Sequence, residues 1–282
     1  MLVPSPGYPL YTAVLARLEV RENSYYLDEA HGWQPSLSDI AAKITPRTRA
    51  IAIINPNNPT GSFCSRETLL GILDLARKHG LVVLADEIYD RLLFDGRAPL
   101  SIASLAPDVP CVTFGGLSKV YVGPGWRLGW GIASGPSDVL APFLGALNQL
   151  LRARLCANHP LQAAIPEALD GGHPHLAEVM AKLTRRRDLT VEMLNAIPGI
   201  SCVKPEGAFY AFPRLHITGS DTDWVHGLIR ETGVVVVPGS GFGEVPGTQH
   251  FRVVFLPDER TLEKAYRQIA TWQARWLDTH PA

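Results

Sequence analysis

Two cations stand nearly alone in the stretch GGLSKVYVGPGWRLGW, residues 115–130. Lys119 follows an apolar run and a glycine pair, and Arg127 lies between Gly125 and Gly129. A solvated face would carry more charge, so isolated cations among small residues read as groups set around a ligand. A lysine desolvated at such a place has a lowered pKa and can form a Schiff base with a carbonyl. An arginine flanked by glycines admits close approach of a phosphate. Both residues also fit structural roles, as a surface-loop lysine and an ion-paired arginine.

Three further clusters have chemical potential. Asp86-Glu-Ile-Tyr89 closes a run otherwise free of charge, so Asp86 reads as a buried carboxylate that needs a partner. Its spacing to Tyr89 puts a carboxylate and a phenol on one side of a planar ligand; helix capping by Asp86 is the competing reading. Asn55-Pro-Asn-Asn-Pro-Thr-Gly61 has its backbone fixed by prolines and glycine, and Asn58 offers an amide that both donates and accepts. The same residues suit a plain strand-to-helix turn. Arg252, in HFRVVFLP, either faces solvent from a strand or clamps a carboxylate.

The elements that carry these residues follow from periodicity. Residues 49–55, 81–86, 110–114 and 128–133 read as buried strands. Arg66 to His79 has a helical apolar face at Leu69, Leu70, Leu73 and Ala76, closed by Gly80. Strand, helix, strand in this order predicts βαβ units and a mainly parallel sheet, whose ligands lie beyond the carboxyl ends of the strands. Helices are predicted over 138–151 and 175–196, the latter with Arg185-Arg186-Arg187 on a solvated face. From Gly199 the texture turns α+β, with strands at 208–212, 234–237 and 251–255 and helices at 223–232 and 258–276. The fold class is therefore α/β: a mainly parallel sheet domain over residues 1–171, followed by a smaller C-terminal α+β domain over 172–282.

Composition sets the outer bounds. The chain has 282 residues, 46% hydrophobic, with net charge −1. The near-balanced charge gives no basis for nucleic acid or an acidic membrane as partner. Apolar runs are strand-length, and the opening MLVPSP is not a signal peptide. Cys64, Cys111, Cys156 and Cys202 are widely spaced, which predicts reduced thiols, a cytoplasmic setting and no metal site. Gly239-Ser-Gly-Phe-Gly243 falls one residue short of a dinucleotide loop and has no helical pattern after it.

Taken in order, NPNNPTG, DEIY, GLSK, PGWRLGW, PEGAFY and FRVVFLP resemble the fold-type I pyridoxal-phosphate aminotransferases across nearly the whole chain. PSPGYPLY and FGGLSK resemble the alanine aminotransferase branch. The resemblance implies pyridoxal 5'-phosphate as cofactor, Lys119 as its Schiff-base lysine, and Asp86 on the pyridine nitrogen. It further implies Tyr89 and Asn58 on the phenolic oxygen, Arg127 and Ser118 at the phosphate, Tyr8 stacked on the ring, and Arg252 on the substrate carboxylate, with Asn58 beside it. The implied activity moves an amino group between a small amino acid such as alanine and a 2-oxo acid such as 2-oxoglutarate, in a homodimer. A lyase on the same fold, or an inactive cofactor-binding remnant, are the alternatives. Two departures stand out. Gly116 occupies a position where many relatives have serine, and on the order of a hundred further residues, about a small domain's worth, precede the corresponding first strand in the family. The chain is therefore expected to be N-terminally truncated.

Overall fold

The structure is a computed structural model that describes residues 1–153, 155–243 and 245–280. Seven strands form the first sheet: β1 (Leu2–Ser5), β2 (Asn23–Asp28), β3 (Gln34–Pro35), β4 (Ala50–Ile54), β5 (Val82–Asp86), β6 (Cys111–Gly116) and β7 (Gly129–Ser134). Their order is β3-β2-β1-β4-β5-β6-β7. The inner five are parallel, while β3 and β7 run antiparallel at the two edges. β1 has β2 on one side and β4 on the other, so the strand order reverses there. Ligand crevices of parallel sheets open at such a point.

Helices α1 (Leu10–Arg17), α2 (Leu37–Lys43) and α3 (Arg66–His79) connect these strands. α3 shows how local chemistry fixes an element. The Ser65 hydroxyl accepts from the Thr68 N–H, and Gly80 ends the helix at φ 61°. Its buried face is Leu69, Ile72, Leu73 and Ala76, whereas Leu70 lies exposed. That stripe packs with Leu2, Ile51, Ile53, Val83 and Ala85 into the largest apolar cluster.

Beyond β7 come α4 (Ser137–Leu151), α5 (His159–Gln162), α6 (Ala164–Asp170) and the long α7 (Leu176–Asn195). A second sheet follows: β8 (Ile200–Ser201), β9 (Tyr210–Ala211), β10 (Arg214–Leu215), β11 (Val237–Pro238) and β12 (Gln249–Val254). β12 pairs antiparallel with β10, β11 and β9. α8 (Asp221–Thr232) and α9 (Glu259–Thr279) pack on it through Trp224, Leu228, Tyr266 and Ile269.

Two expectations need correction. The valine run 234–237 is a strand only at its last residue, where Val237 pairs with Arg252 on β12. Val235 is 77% exposed, because the run lies at a sheet edge with no second neighbour. Arg187 is not on a solvated face. It is 1% exposed and donates to both oxygens of Asp95 at 2.8 and 2.9 Å, with its guanidinium 4.3 Å from the Phe94 ring. The glycine-rich 239–243 segment forms a short 3-10 turn over Gly239–Phe242. Among the described residues no helix is long and apolar enough to cross a membrane.

Candidate active site

Strand register explains why distant motifs meet. Ile54 on β4 pairs with Asp86 on β5, and Asp86 pairs with Phe114 on β6. Parallel strands in this register send their following loops out side by side. The loops after β1, β4, β5 and β6 therefore deliver Tyr8, Asn58, Tyr89 and Lys119 to one cavity of about 520 Å³. Ser118 and Arg127 line the same cavity, and so do Tyr210 from β9 and Arg252 from β12. All eight residues proposed from sequence share this one space.

The 55–61 loop is both scaffold and site. Asn57 Nδ2 donates to Thr60 at 2.9 Å and to the Pro6 carbonyl at 3.3 Å, and the Asn55 side chain accepts from the Cys64 N–H at 2.8 Å. The Gly61 carbonyl receives the N–H groups of Glu206 and Gly207, both at 2.8 Å. Asn58, held between these anchors and 4% exposed, accepts from Arg252 Nη1 at 3.1 Å. The turn and ligand readings of this motif are thus compatible.

No helix follows Asp86, which removes the capping reading. The chain turns instead, and Asp86 Oδ1 accepts from the Ile88 N–H at 3.3 Å. Oδ2 accepts from the Tyr11 hydroxyl at 3.2 Å. Both donors are neutral, and desolvation raises the Asp86 pKa despite them and despite the Lys119 charge. A carboxylate so placed would be stabilised by a cationic N–H across the cavity.

Lys119 is half-buried, with its ammonium 5.8 Å from the Tyr89 ring centroid and 5.6 Å from that of Phe209. Desolvation, followed by the charges of Arg252 and Arg127, lowers its pKa, which makes the neutral nucleophilic amine more available. The neighbouring glycines are required by space. A Cβ on Gly116 would lie 2.9 Å from the Leu128 carbonyl oxygen, and one on Gly115 would lie 2.5 Å from the Trp130 indole nitrogen. This accounts for glycine, rather than serine, at 116. Arg127 adopts φ 56° after the 124–126 turn, is exposed, and donates from Nη1 to the Pro124 carbonyl at 2.6 Å.

Arg252 is half-buried, its guanidinium 4.8 Å from the Tyr210 ring and 4.6 Å from the Phe242 ring. Desolvation pulls its pKa down. Its Nε is a buried donor with no hydrogen-bond partner among the described residues, a costly arrangement unless a ligand oxygen completes it. The charged residues lining the cavity are Lys119, Arg127, Arg252 and the single carboxylate Asp86. That excess of cations attracts phosphate and carboxylate groups.

Residues 1–269 match the sequence profile described as Aminotransferase class I and II. The chain belongs to this family. Relatives include an alanine aminotransferase of Mycobacterium tuberculosis, 44% identical over 279 residues, covering 96% of this chain and 65% of that protein. The glutamate-pyruvate aminotransferase AlaA of Escherichia coli K12 is 43% identical, with 96% of this chain and 68% of that protein covered. Among solved structures, an alanine aminotransferase from Pyrococcus furiosus superposes with a TM-score of 0.94 at 43% identity, over 97% of this chain and 70% of that one. The chain thus spans about two thirds of the length of the relatives it matches.

Pyridoxal 5'-phosphate fits the residues present. The cavity offers an amine of lowered pKa, a carboxylate awaiting a cationic N–H, a buried phenol and an anion-attracting cation set. The structure also adds two residues that the sequence reading missed. Tyr11 holds Asp86, and Tyr210 bonds to the Tyr89 hydroxyl at 3.0 Å. Both lie within motifs quoted above, PSPGYPLY and PEGAFY. Nothing in the pattern of a lone tyrosine shows which acid or phenol it will meet.

Proposed function

We propose that the chain is a pyridoxal 5'-phosphate-dependent transaminase that exchanges the amino group of alanine with 2-oxoglutarate. The observation that carries this reading is the shared cavity in which Lys119, of lowered pKa, faces the carboxylate of Asp86. The names borne by the mycobacterial and Escherichia coli relatives support the substrate pair. When bound, the cofactor supplies an electron sink for charge developing at the substrate α-carbon. Lys119 would hold the cofactor at its aldehyde carbon, and its amine would move the proton at the substrate α-carbon. Asp86 keeps the pyridine nitrogen protonated, and Tyr11 orients that carboxylate. Tyr89 and Asn58 address the ring's phenolic oxygen, Arg127 and Ser118 the phosphate, and Tyr8 the ring face. Arg252 clamps the substrate carboxylate, completing its orphaned Nε.

The division into a large unit, 1–171, and a small unit, 172–282, belongs to the same proposal, as do a homodimer and a cytoplasmic setting. Exposed Ile132, Leu150 and Leu151, at 57%, 74% and 53%, support association through the β7–α4 face. Free thiols at all four cysteines support a reducing compartment. A second reading is cofactor binding without turnover: Lys119 and Asp86 hold the cofactor as above, while Arg127, exposed and donating to a backbone carbonyl, leaves the phosphate less firmly placed for the reaction.

Incubation with cofactor, alanine and 2-oxoglutarate is expected to yield pyruvate and glutamate in equal amounts. Pyruvate with free ammonia from serine, which carries the β leaving group that alanine lacks, would mark a lyase instead, and cofactor absorbance without keto acid the second reading. Borohydride treatment with cofactor is expected to fix a pyridoxyl group on Lys119. A label on Lys182 or Lys204 would reject the site.

A further inference from the structure

We propose that Tyr210 is a positioning residue that couples the carboxylate bound at Arg252 to the hydroxyl of Tyr89, so that substrate occupancy is felt at the cofactor's ring oxygen. The proposal rests on the transaminase reading above and concerns a residue that reading leaves without a role.

The geometry is a continuous path. The Arg252 guanidinium lies 4.8 Å from the Tyr210 ring centroid, and the Tyr210 hydroxyl lies 3.0 Å from the Tyr89 hydroxyl. Both phenols are buried, at 6% and 3% exposure, with their rings edge to face. Backbone bonds fix the pair: Ala208 N–H donates to the Leu92 carbonyl at 2.8 Å, and Phe94 N–H to the Glu206 carbonyl at 3.0 Å. These zip the segment after β5 to the segment before β9. The two hydroxyls therefore meet at a seam that joins the lysine-bearing sheet to the arginine-bearing one.

The direction of the bond follows from its surroundings. A cation over an aromatic ring draws charge from it and makes the phenol a better donor. Tyr210 carries that cation, so Tyr210 donates and the Tyr89 oxygen accepts. The Tyr89 proton is then left for an acceptor in the cavity. Burial raises both phenols, and the charge of Arg252 acts to lower each. The other charged and titratable groups acting on the pair and on the adjacent lysine are Asp86, Tyr8, Lys119 and Arg127. A substrate carboxylate neutralises Arg252, weakens the polarisation of Tyr210, and so changes the Tyr89 hydroxyl without touching it.

The test uses the protein carrying [13Cζ]tyrosine, with the Tyr89 and Tyr210 signals assigned by their loss in Tyr89→Phe and Tyr210→Phe. Propionate is the probe, and its binding is followed separately by calorimetry. In the parent, propionate is expected to shift the Tyr89 signal. In Tyr210→Phe the ring under Arg252 remains, so propionate still binds, but the Tyr89 shift is lost. With cofactor loaded, Tyr210→Phe is further expected to raise the pH at which the bound cofactor's absorbance changes, because a weaker Tyr89 donor stabilises the ring oxyanion less. Propionate binding with an unmoved Tyr89 signal in the parent, or an equal shift in Tyr210→Phe, overturns the coupling and leaves the transaminase reading intact. Failure of propionate to bind overturns the carboxylate role of Arg252 and the coupling with it.

Discussion

At the scale of single residues, Asp86 carries the sharpest conflict between function and stability. Burial holds its pKa above the usual carboxylate value of 3.8, and its two hydrogen-bond donors do not reverse this. The folded chain therefore binds this proton more tightly than the unfolded chain does, and the stability tied to the group falls as pH rises through its folded pKa. Asp86→Asn removes that cost. Without cofactor, the variant is expected to melt above the parent at neutral pH by about 2–4 °C, the scale of about 1 kcal/mol in a chain of this size. The gap should close as pH is lowered toward the ordinary carboxylate range. The same variant should lose most transaminase turnover, because a neutral amide does not keep a pyridinium protonated. Equal melting curves across this range, with turnover retained, would return Asp86 to a merely structural part. Asp86, Lys119, Arg127 and Arg252 were legible in sequence because a lone charge among apolar or small residues is costly without a purpose. Tyr11 and Tyr210 were not. Their hydroxyls acquire meaning only from partners 75 and 121 residues away.

Elements were legible where the periodicity was long and the punctuation clear. α3 runs from Arg66 to His79 as its apolar periodicity and closing glycine predict. The antiparallel sense of β7 could not be read, since a buried strand has the same composition in either direction. The valine run 234–237 misled because β-branched content predicts strand without counting neighbours, and this run has one. The loop after β4 shows an element acting on another. Gly61 has φ 69°, and a Cβ there would lie 2.6 Å from Pro205 Cβ and 2.8 Å from the Tyr210 carbonyl oxygen. Gly61→Ala must therefore push the loop away from the strand that carries Tyr210, besides straining its own backbone. A loss of about 2–3 kcal/mol is expected by denaturant titration, within the range of strain and overpacking together. Weaker carboxylate binding should accompany it, since Asn58 and Arg252 meet across this contact. Gly80→Ala serves as the comparison, because its φ of 61° carries strain but nothing lies within 4 Å of an added Cβ. Equal losses in the two variants would leave only backbone strain and remove the packing argument.

For the whole molecule, the site exists only while the two sheets stay in register, because β5 and β6 hold Asp86 and lead to Lys119 while β9 and β12 hold Tyr210 and Arg252. The ion pair of buried Arg187 with Asp95, alongside the Arg97–Glu206 and Arg214–Glu29 pairs, whose arginines are more exposed, helps pin that arrangement. Arg187, on α7, reaches the first half of the chain at Asp95 through two hydrogen bonds, and also donates to Asp188 at 3.0 Å and to the Pro205 carbonyl at 3.3 Å. The guanidinium is buried while Asp95 is 52% exposed, so the two partners are not equivalent. Removing the arginine takes away every one of these bonds and the packing over Phe94. Removing the Asp95 charge leaves Arg187 its other acceptors. Arg187→Ala is therefore expected to cost about 3 kcal/mol, the scale of a lost buried charge-assisted contact, and Asp95→Asn clearly less. The pH dependence is fixed in sign. Arg187 holds the Asp95 carboxyl below its usual 3.8, so the pair stabilises above that value and its contribution is lost as pH falls through the folded pKa. The parent and Arg187→Ala curves should accordingly converge in acid. Because Asp95 follows directly on the seam at Leu92 and Phe94, loosening it should also weaken propionate binding at Arg252, although Arg187 does not line that cavity. A variant that loses stability but binds propionate as the parent does would confine Arg187 to folding and separate the seam from the site.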